Sequence, residues 1–166
     1  PKWERRVAIS QGRSEVQRLI DVDGDPLIST GQLYVVSYQG QLVALDLEQQ
    51  RMRWSAETSS LRSLAMSIGN IYVATTDGAV QAFDEQDGRK VWQIDQLKHR
   101  NLSNPVVLGR WLVVGDADGY LHLIEQTEGK IVGRVRTSGA VRYLRVVDDR
   151  LLVQSTNGAL SVWQAS

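Results

Sequence analysis

Three carboxylates alternate along Asp21-Val22-Asp23-Gly24-Asp25, and that spacing invites a calcium reading. An EF-hand loop, however, needs glycine at its sixth position and a bidentate glutamate at its twelfth. Here the glycine is fourth and the twelfth residue is Gln32, so the segment reads as a solvated or partner-facing acidic loop. His99 and His122 are the only histidines, and neither has a second nitrogen or carboxylate ligand at a metal-site spacing. His99 belongs to the basic run Lys98-His99-Arg100, expected to be an exposed loop, whereas His122 alternates with apolar neighbours in a strand. A serine, histidine and aspartate triad can be assembled on paper, but no Gly-x-Ser-x-Gly elbow supports one. The chain has no cysteine, which excludes a thiol nucleophile, thiolate metal ligands, disulfides and a lipidated cysteine within this stretch. No glycine-rich phosphate loop precedes a helix. The sequence therefore assigns no catalytic residue, no cofactor and no metal.

The elements that must position these residues come from a chain of 166 residues, a length that fits one domain or part of a larger one. Its 19 basic and 19 acidic side chains balance, and 15 of the basic ones are arginines scattered among strands and turns. Nucleic acid is not an expected partner, since phosphate-backbone binding needs a basic excess or stripe. The longest apolar runs have the length of strands, far below the roughly 20 residues that span a bilayer.

The chain repeats itself. Gly31–Val36, Gly69–Ala74, Gly109–Val114 and Asp149–Gln154 follow one template, and their starts are separated by 38, 40 and 40 residues. A two-residue turn signal follows each copy: Gln39-Gly40, Asp77-Gly78, Asp118-Gly119 and Asn157-Gly158. Such pairs predict tight type I′ hairpins. A second alternating strand comes next, then another turn signal, clearest at Asp87-Gly88 and Glu128-Gly129, and a third strand. Trp54 and Trp92 both lie 14 residues after the turn glycine, where the third copy has Gly133. A short apolar segment precedes each template, so each unit is four short strands. No stretch sustains helical apolar spacing, and the strands are rich in Val, Leu, Ile and Tyr.

Four antiparallel strands per roughly 40 residues is the pattern of a β-propeller blade, and the predicted fold is all-β, with about four blades. Blades are expected at 25–58, 64–95 and 104–136, with an incomplete last blade at 141–166. Residues 1–9 read as the last strand of a preceding blade, with Trp3 as its last-strand tryptophan. Residues 10–24 read as an extended inter-blade loop, because Trp3 lies 51 residues before Trp54. Trp54 and Trp92 are expected to pack between neighbouring blades, with Trp111 and Trp163 in the core.

The consensus of Gly69–Ala74, Asp77–Asp84 and Gly88–Trp92 resembles the pyrroloquinoline-quinone-type propeller repeat, shared by quinone-dependent dehydrogenases and nonenzymatic relatives. It lacks the Gly-His and Trp-Asp dipeptides of WD40 blades. Four more specific segments, Val16–Asp23, Leu97–Arg100, Ser103–Val106 and Val113–His122, resemble the C-terminal half of the BamB family, lipoproteins of the outer-membrane β-barrel assembly machinery. The resemblance covers nearly the whole chain. It implies half of an eight-bladed propeller that acts as a non-catalytic scaffold at the periplasmic face of the outer membrane, its lipid anchor preceding Pro1. The implied partners are the POTRA domains of BamA, with unfolded outer-membrane protein clients as further partners. The family's BamA contact includes an acidic pair matched here by Asp21 and Asp23, with Arg18 beside them. The alternative reading is a fragment of a quinone-dependent dehydrogenase, yet the cofactor-stacking aromatics, calcium ligands and catalytic carboxylate such an enzyme needs have no recognisable order here. An incomplete last blade leaves a strand edge open, so two copies can exchange their Pro1–Ile9 strands and close into a dimer.

Overall fold

A computed structural model describes residues 26–36, 40–58, 64–67 and 69–164, and the described residues form strands joined by turns. The expected strand at 1–9 and loop at 10–24 lie outside them. The first sheet contains β1 (Leu27–Ser29), β2 (Gln32–Val36), β3 (Gln41–Asp46) and β4 (Arg51–Glu57). The second contains β5 (Ala65–Ser67), β6 (Asn70–Ala74), β7 (Val80–Asp84) and β8 (Lys90–Ile94). The third is built from β9 (Val106–Leu108), β10 (Trp111–Gly115), β11 (Tyr120–Glu125) and β12 (Ile131–Arg136). The last has three strands, β13 (Val141–Val147), β14 (Arg150–Ser155) and β15 (Leu160–Gln164). Strands pair antiparallel in chain order within each sheet, and this is the blade architecture of a β-propeller.

The core sits between the sheets. Alternation sends one set of side chains to each face of a blade, and both faces of the inner strands are apolar, so each blade must be covered on two sides. Tyr34, Val36, Leu42, Ala44 and Trp54 of the first sheet pack on Ile71, Val73 and Phe83 of the second. Tyr72, Ala82 and Trp92 meet Leu112, Val114 and Ile124 of the third in the same way. Leu108, Val113 and Leu121 then meet Leu144, Leu151 and Val153 of the last sheet.

Trp54 and Trp92 staple these interfaces. The Trp54 indole N–H donates to the Glu85 carbonyl at 3.0 Å, and the Trp92 indole N–H donates to the Gln126 carbonyl at 2.8 Å. Each ring lies flat against a turn glycine of the next blade: a Cβ on Gly88 would fall 2.4 Å from Trp54 Cε3, and one on Gly129 would fall 2.4 Å from Trp92 Cδ2. Glycine is thus required at both turns by close approach as well as by positive φ. Trp111 and Trp163 differ from expectation. Both are half-buried and flank the third interface rather than filling it, and Arg110 covers the Trp111 ring at 4.6 Å.

The hairpin turns also correct the sequence reading. A type I′ turn needs positive φ at both central residues, but at Asp77-Gly78, Asp118-Gly119 and Asn157-Gly158 only the glycine is left-handed, and Asp77, Asp118 and Asn157 stay at negative φ. Gly78 N–H bonds Thr75 O at 3.1 Å while Thr75 N–H bonds Ala79 O at 2.8 Å, the pattern of a type I turn followed by a glycine bulge. The turns at Asp116–Tyr120 and Ser155–Ala159 repeat it. Side-chain acceptors select this geometry: Thr75 Oγ1 accepts from Ala79 N–H, Asp116 Oδ1 from Tyr120 N–H and Asn157 Oδ1 from Ala159 N–H.

Candidate functional site

The turns joining the second and third strands of each blade share one end of the sheets with the connections between blades. Leu97–Leu102, part of the connection from β8 to β9, crosses from the second-blade turn to the third-blade turn there. Leu97 and Leu102 are buried and fix its ends, while His99 and Asn101 hold left-handed backbone at φ 67° and 57°. Such a conformation in non-glycine residues persists only where surroundings impose it. Here His99 N–H donates to Asp77 O at 3.1 Å, and Ala117 N–H donates to Arg100 O at 3.0 Å. Lys98 lies 3.3 Å from Asp95 and 3.9 Å from Asp77, exposed ion pairs of small energetic weight. The Thr75 hydroxyl, bonded to the Asp77 carboxylate, is the chief cause that holds that carboxyl below its usual range.

Asp116 is the hub. Its side chain is 0% exposed, and four donors reach its two oxygens. Oδ1 accepts from the N–H groups of Asp118 and Tyr120, at 3.0 and 2.9 Å. Oδ2 accepts from Arg100 Nη1 at 3.2 Å and from His122 Nε2 at 2.7 Å. A carboxylate is acceptor-only, so Nε2 of His122 carries the proton. Burial pushes the Asp116 carboxyl pKa up, but the bonds from His122, Tyr120 and Arg100 outweigh it and leave the group below its ordinary value. The Asp116 carbonyl also accepts from Val141 N–H at 2.9 Å, which ties the turn to the start of the last blade. With every lone pair engaged, this carboxylate braces the loops and is not free to abstract a proton.

A second brace lies beside it. Asn104 sends Nδ2–H to Leu144 O at 2.8 Å and accepts Leu144 N–H on Oδ1 at 2.9 Å, pairing with a strand of the neighbouring blade as a backbone would. Ser103 Oγ accepts Gly115 N–H at 2.9 Å. Three of the segments singled out in the sequence, Leu97–Arg100, Ser103–Val106 and Val113–His122, are therefore one assembly. Sequence reasoning placed Arg100 in an exposed basic loop and His122 in a strand, and so missed the ion pair between Arg100 and Asp116. The unusual conjunction of a basic run with an Asp-x-Asp-Gly turn was the available signal.

The expected partner-binding residues Asp21, Asp23 and Arg18 lie outside the described residues. Among the described residues no group of three or more histidine and carboxylate side chains could hold a metal ion. Among the described residues the ring of His122 bonds the Asp116 carboxylate.

The chain is 48% identical over 136 residues to the outer membrane protein assembly factor BamB of Pseudomonas aeruginosa, covering 82% of this chain and 36% of that protein. Across the curated relatives the chain spans about two fifths of their length. The crystal structure of BamB from Moraxella catarrhalis superposes with a TM-score of 0.84 at 39% identity, covering 87% of this chain and 43% of that one. A europium-containing methanol dehydrogenase shares the fold alone, with a TM-score of 0.57 at 21% identity. The sequence model for outer membrane protein assembly factor BamB matches residues 1–94 and 76–166, and with the whole length accounted for, the chain belongs to the BamB family.

Proposed function

We propose that this chain serves as part of a non-catalytic scaffold that binds the periplasmic POTRA domains of BamA and assists the folding and insertion of β-barrel outer-membrane proteins. The observation that carries the reading is the family match over the entire chain. The commitment of Asp116, Arg100 and His122 to one another supports it, because a surface of braced loops suits recognition of a protein partner. Asp21 and Asp23 carry the contact, accepting charge-assisted hydrogen bonds from basic groups of BamA, with Arg18 beside them. The scaffold works at the periplasmic face of the outer membrane and also meets unfolded outer-membrane protein clients.

Pull-down with purified BamA periplasmic domains tests the reading. The chain should be retained, and Asp21→Ala with Asp23→Ala should weaken retention by about 2–5 kcal/mol, the cost of truncating one side of desolvated charge pairs. Unchanged binding of the double variant removes this loop from the interface. Stoichiometric binding of quinone and calcium with oxidation of an alcohol or sugar would replace the scaffold by an oxidoreductase.

A further inference from the structure

On the outer edge of the third blade two arginines stand over one tyrosine. Tyr120 pairs with Arg136 across β11 and β12, and His122 pairs with Arg134, so Tyr120, Arg134 and Arg136 share one face. The Arg134 guanidinium carbon lies 4.5 Å from the Tyr120 ring centroid, and that of Arg136 lies 5.1 Å away. Arg136 Nη1 also donates to Tyr120 Oη at 2.9 Å. Both arginines are exposed, and neither has a carboxylate within ion-pair distance among the described residues. Between Glu128 and Asp148 the chain carries Lys130, Arg134, Arg136, Arg142 and Arg145 and no acid.

We propose that Arg134, Tyr120 and Arg136 form a clamp for a phosphate group, supplied by the headgroup of an anionic lipid or by a soluble phosphate ester. Two like charges held beside one ring repel each other, and a bound anion relieves that repulsion. The ring fixes both forks in advance, so less side-chain freedom is lost when a ligand arrives. A carboxylate has two oxygens and is matched by one guanidinium, whereas a phosphate offers enough acceptor oxygens for two forks at once. Exposed Val132, at 51%, sits on the same edge strand and gives the surroundings the mixed basic and apolar character of a membrane-surface site. The site shares no residue with the BamA contact proposed above, so its failure leaves that reading standing.

The test titrates the 166-residue chain with glycerol phosphate, following the Arg Nε–H signals by NMR, and sediments it with phosphatidylcholine vesicles with and without phosphatidylglycerol. Signals of Arg134 and Arg136 should shift. Arg134→Lys with Arg136→Lys keeps both charges and removes both forks, and should weaken binding at least about tenfold, the equivalent of one charge-assisted contact. Tyr120→Leu should weaken it too, with circular dichroism unchanged in each variant. Sedimentation that depends on phosphatidylglycerol and is lost in the double variant identifies the headgroup as the source. Binding confined to glycerol phosphate identifies a soluble ester. Full binding by the double lysine variant, or silence of both arginine signals with either probe, overturns the clamp and leaves the arginines as charges that guard an edge strand. An acidic peptide that shifts the same signals as strongly as glycerol phosphate also overturns it, by making carboxylate the ligand.

Discussion

Replacing Asp116 by alanine tests whether the loop assembly is held by one carboxylate. The substitution takes the Asp116 acceptor from four donors, and they differ in what else can satisfy them. His122 is 3% exposed at its side chain, so its Nε2–H stays dry. The Tyr120 N–H is partly covered, whereas Asp118 is exposed and rehydrates its own N–H. Arg100 is about one-third exposed and keeps Asp118 at 3.4 Å, so its loss is discounted. Leaving a buried donor unpaired costs about 1–3 kcal/mol, and two such donors plus a discounted ion pair amount to about 3–5 kcal/mol. Urea unfolding followed by tryptophan fluorescence reads this directly. With a slope of about 2 kcal/mol per molar, the midpoint should fall by about 1.5–2.5 M. Asp118→Ala should lower it far less. The Asp116 carboxyl is depressed in the folded state, so its contribution is complete above the unfolded value near 3.9 and disappears as pH falls through the lower folded value. Wild type and variant should therefore converge below about pH 3.9. Equal midpoints for Asp116→Ala and Asp118→Ala at neutral pH would refute the assignment of Asp116 as hub.

Trp92→Ala removes the staple between the second and third blades and should cost about 3–5 kcal/mol of stability by denaturant unfolding. Ready quenching of Trp92 fluorescence in the native chain would contradict its seat on Gly129. Among the described residues β15 bonds only to β14, so its other edge can accept a further strand. If that strand is Pro1–Ile9 of a second copy, light scattering should report a dimer that disappears when residues 1–9 are deleted. A monomer that unfolds cooperatively eliminates the exchange.

The blades were legible because their signals are local and repeated. A turn glycine such as Gly78, a strand such as Ile71–Ala74 and Trp92 at a fixed offset each constrain a few residues, and recurrence turns weak local preferences into an architecture. The turn type was misjudged for an equally local reason. The pair Asp77-Gly78 favours a type I′ turn only while the preceding residue is ignored, and Thr75 Oγ1, two positions before Asp77, supplies the acceptor that selects the glycine-bulge form. The assembly around Asp116 was illegible for the opposite reason. Arg100 and Asp116 are 16 residues apart, on different connections, and no periodicity links an arginine in one loop to an aspartate in another. Asn104 and Leu144, 40 residues apart, are related only through the packing of adjacent blades.

The residues with the most reactive chemistry in the described part of the chain have thus been used for geometry. A propeller with short turns leaves the blade-connecting loops as its adjustable surface, and such loops recognise a partner only if their backbone is held still. Holding Leu97–Leu102 still takes an internal acceptor for its arginine and a support for two left-handed residues. Asp116 supplies the acceptor, and the neighbouring turns supply the support through Asp77 O and Ala117 N–H. The same arrangement removes Asp116 and His122 from solvent, where a hydrolytic or redox centre would need one of them exposed. Burial thus commits this pair to holding the loop, the condition that the recognition proposed above places on it.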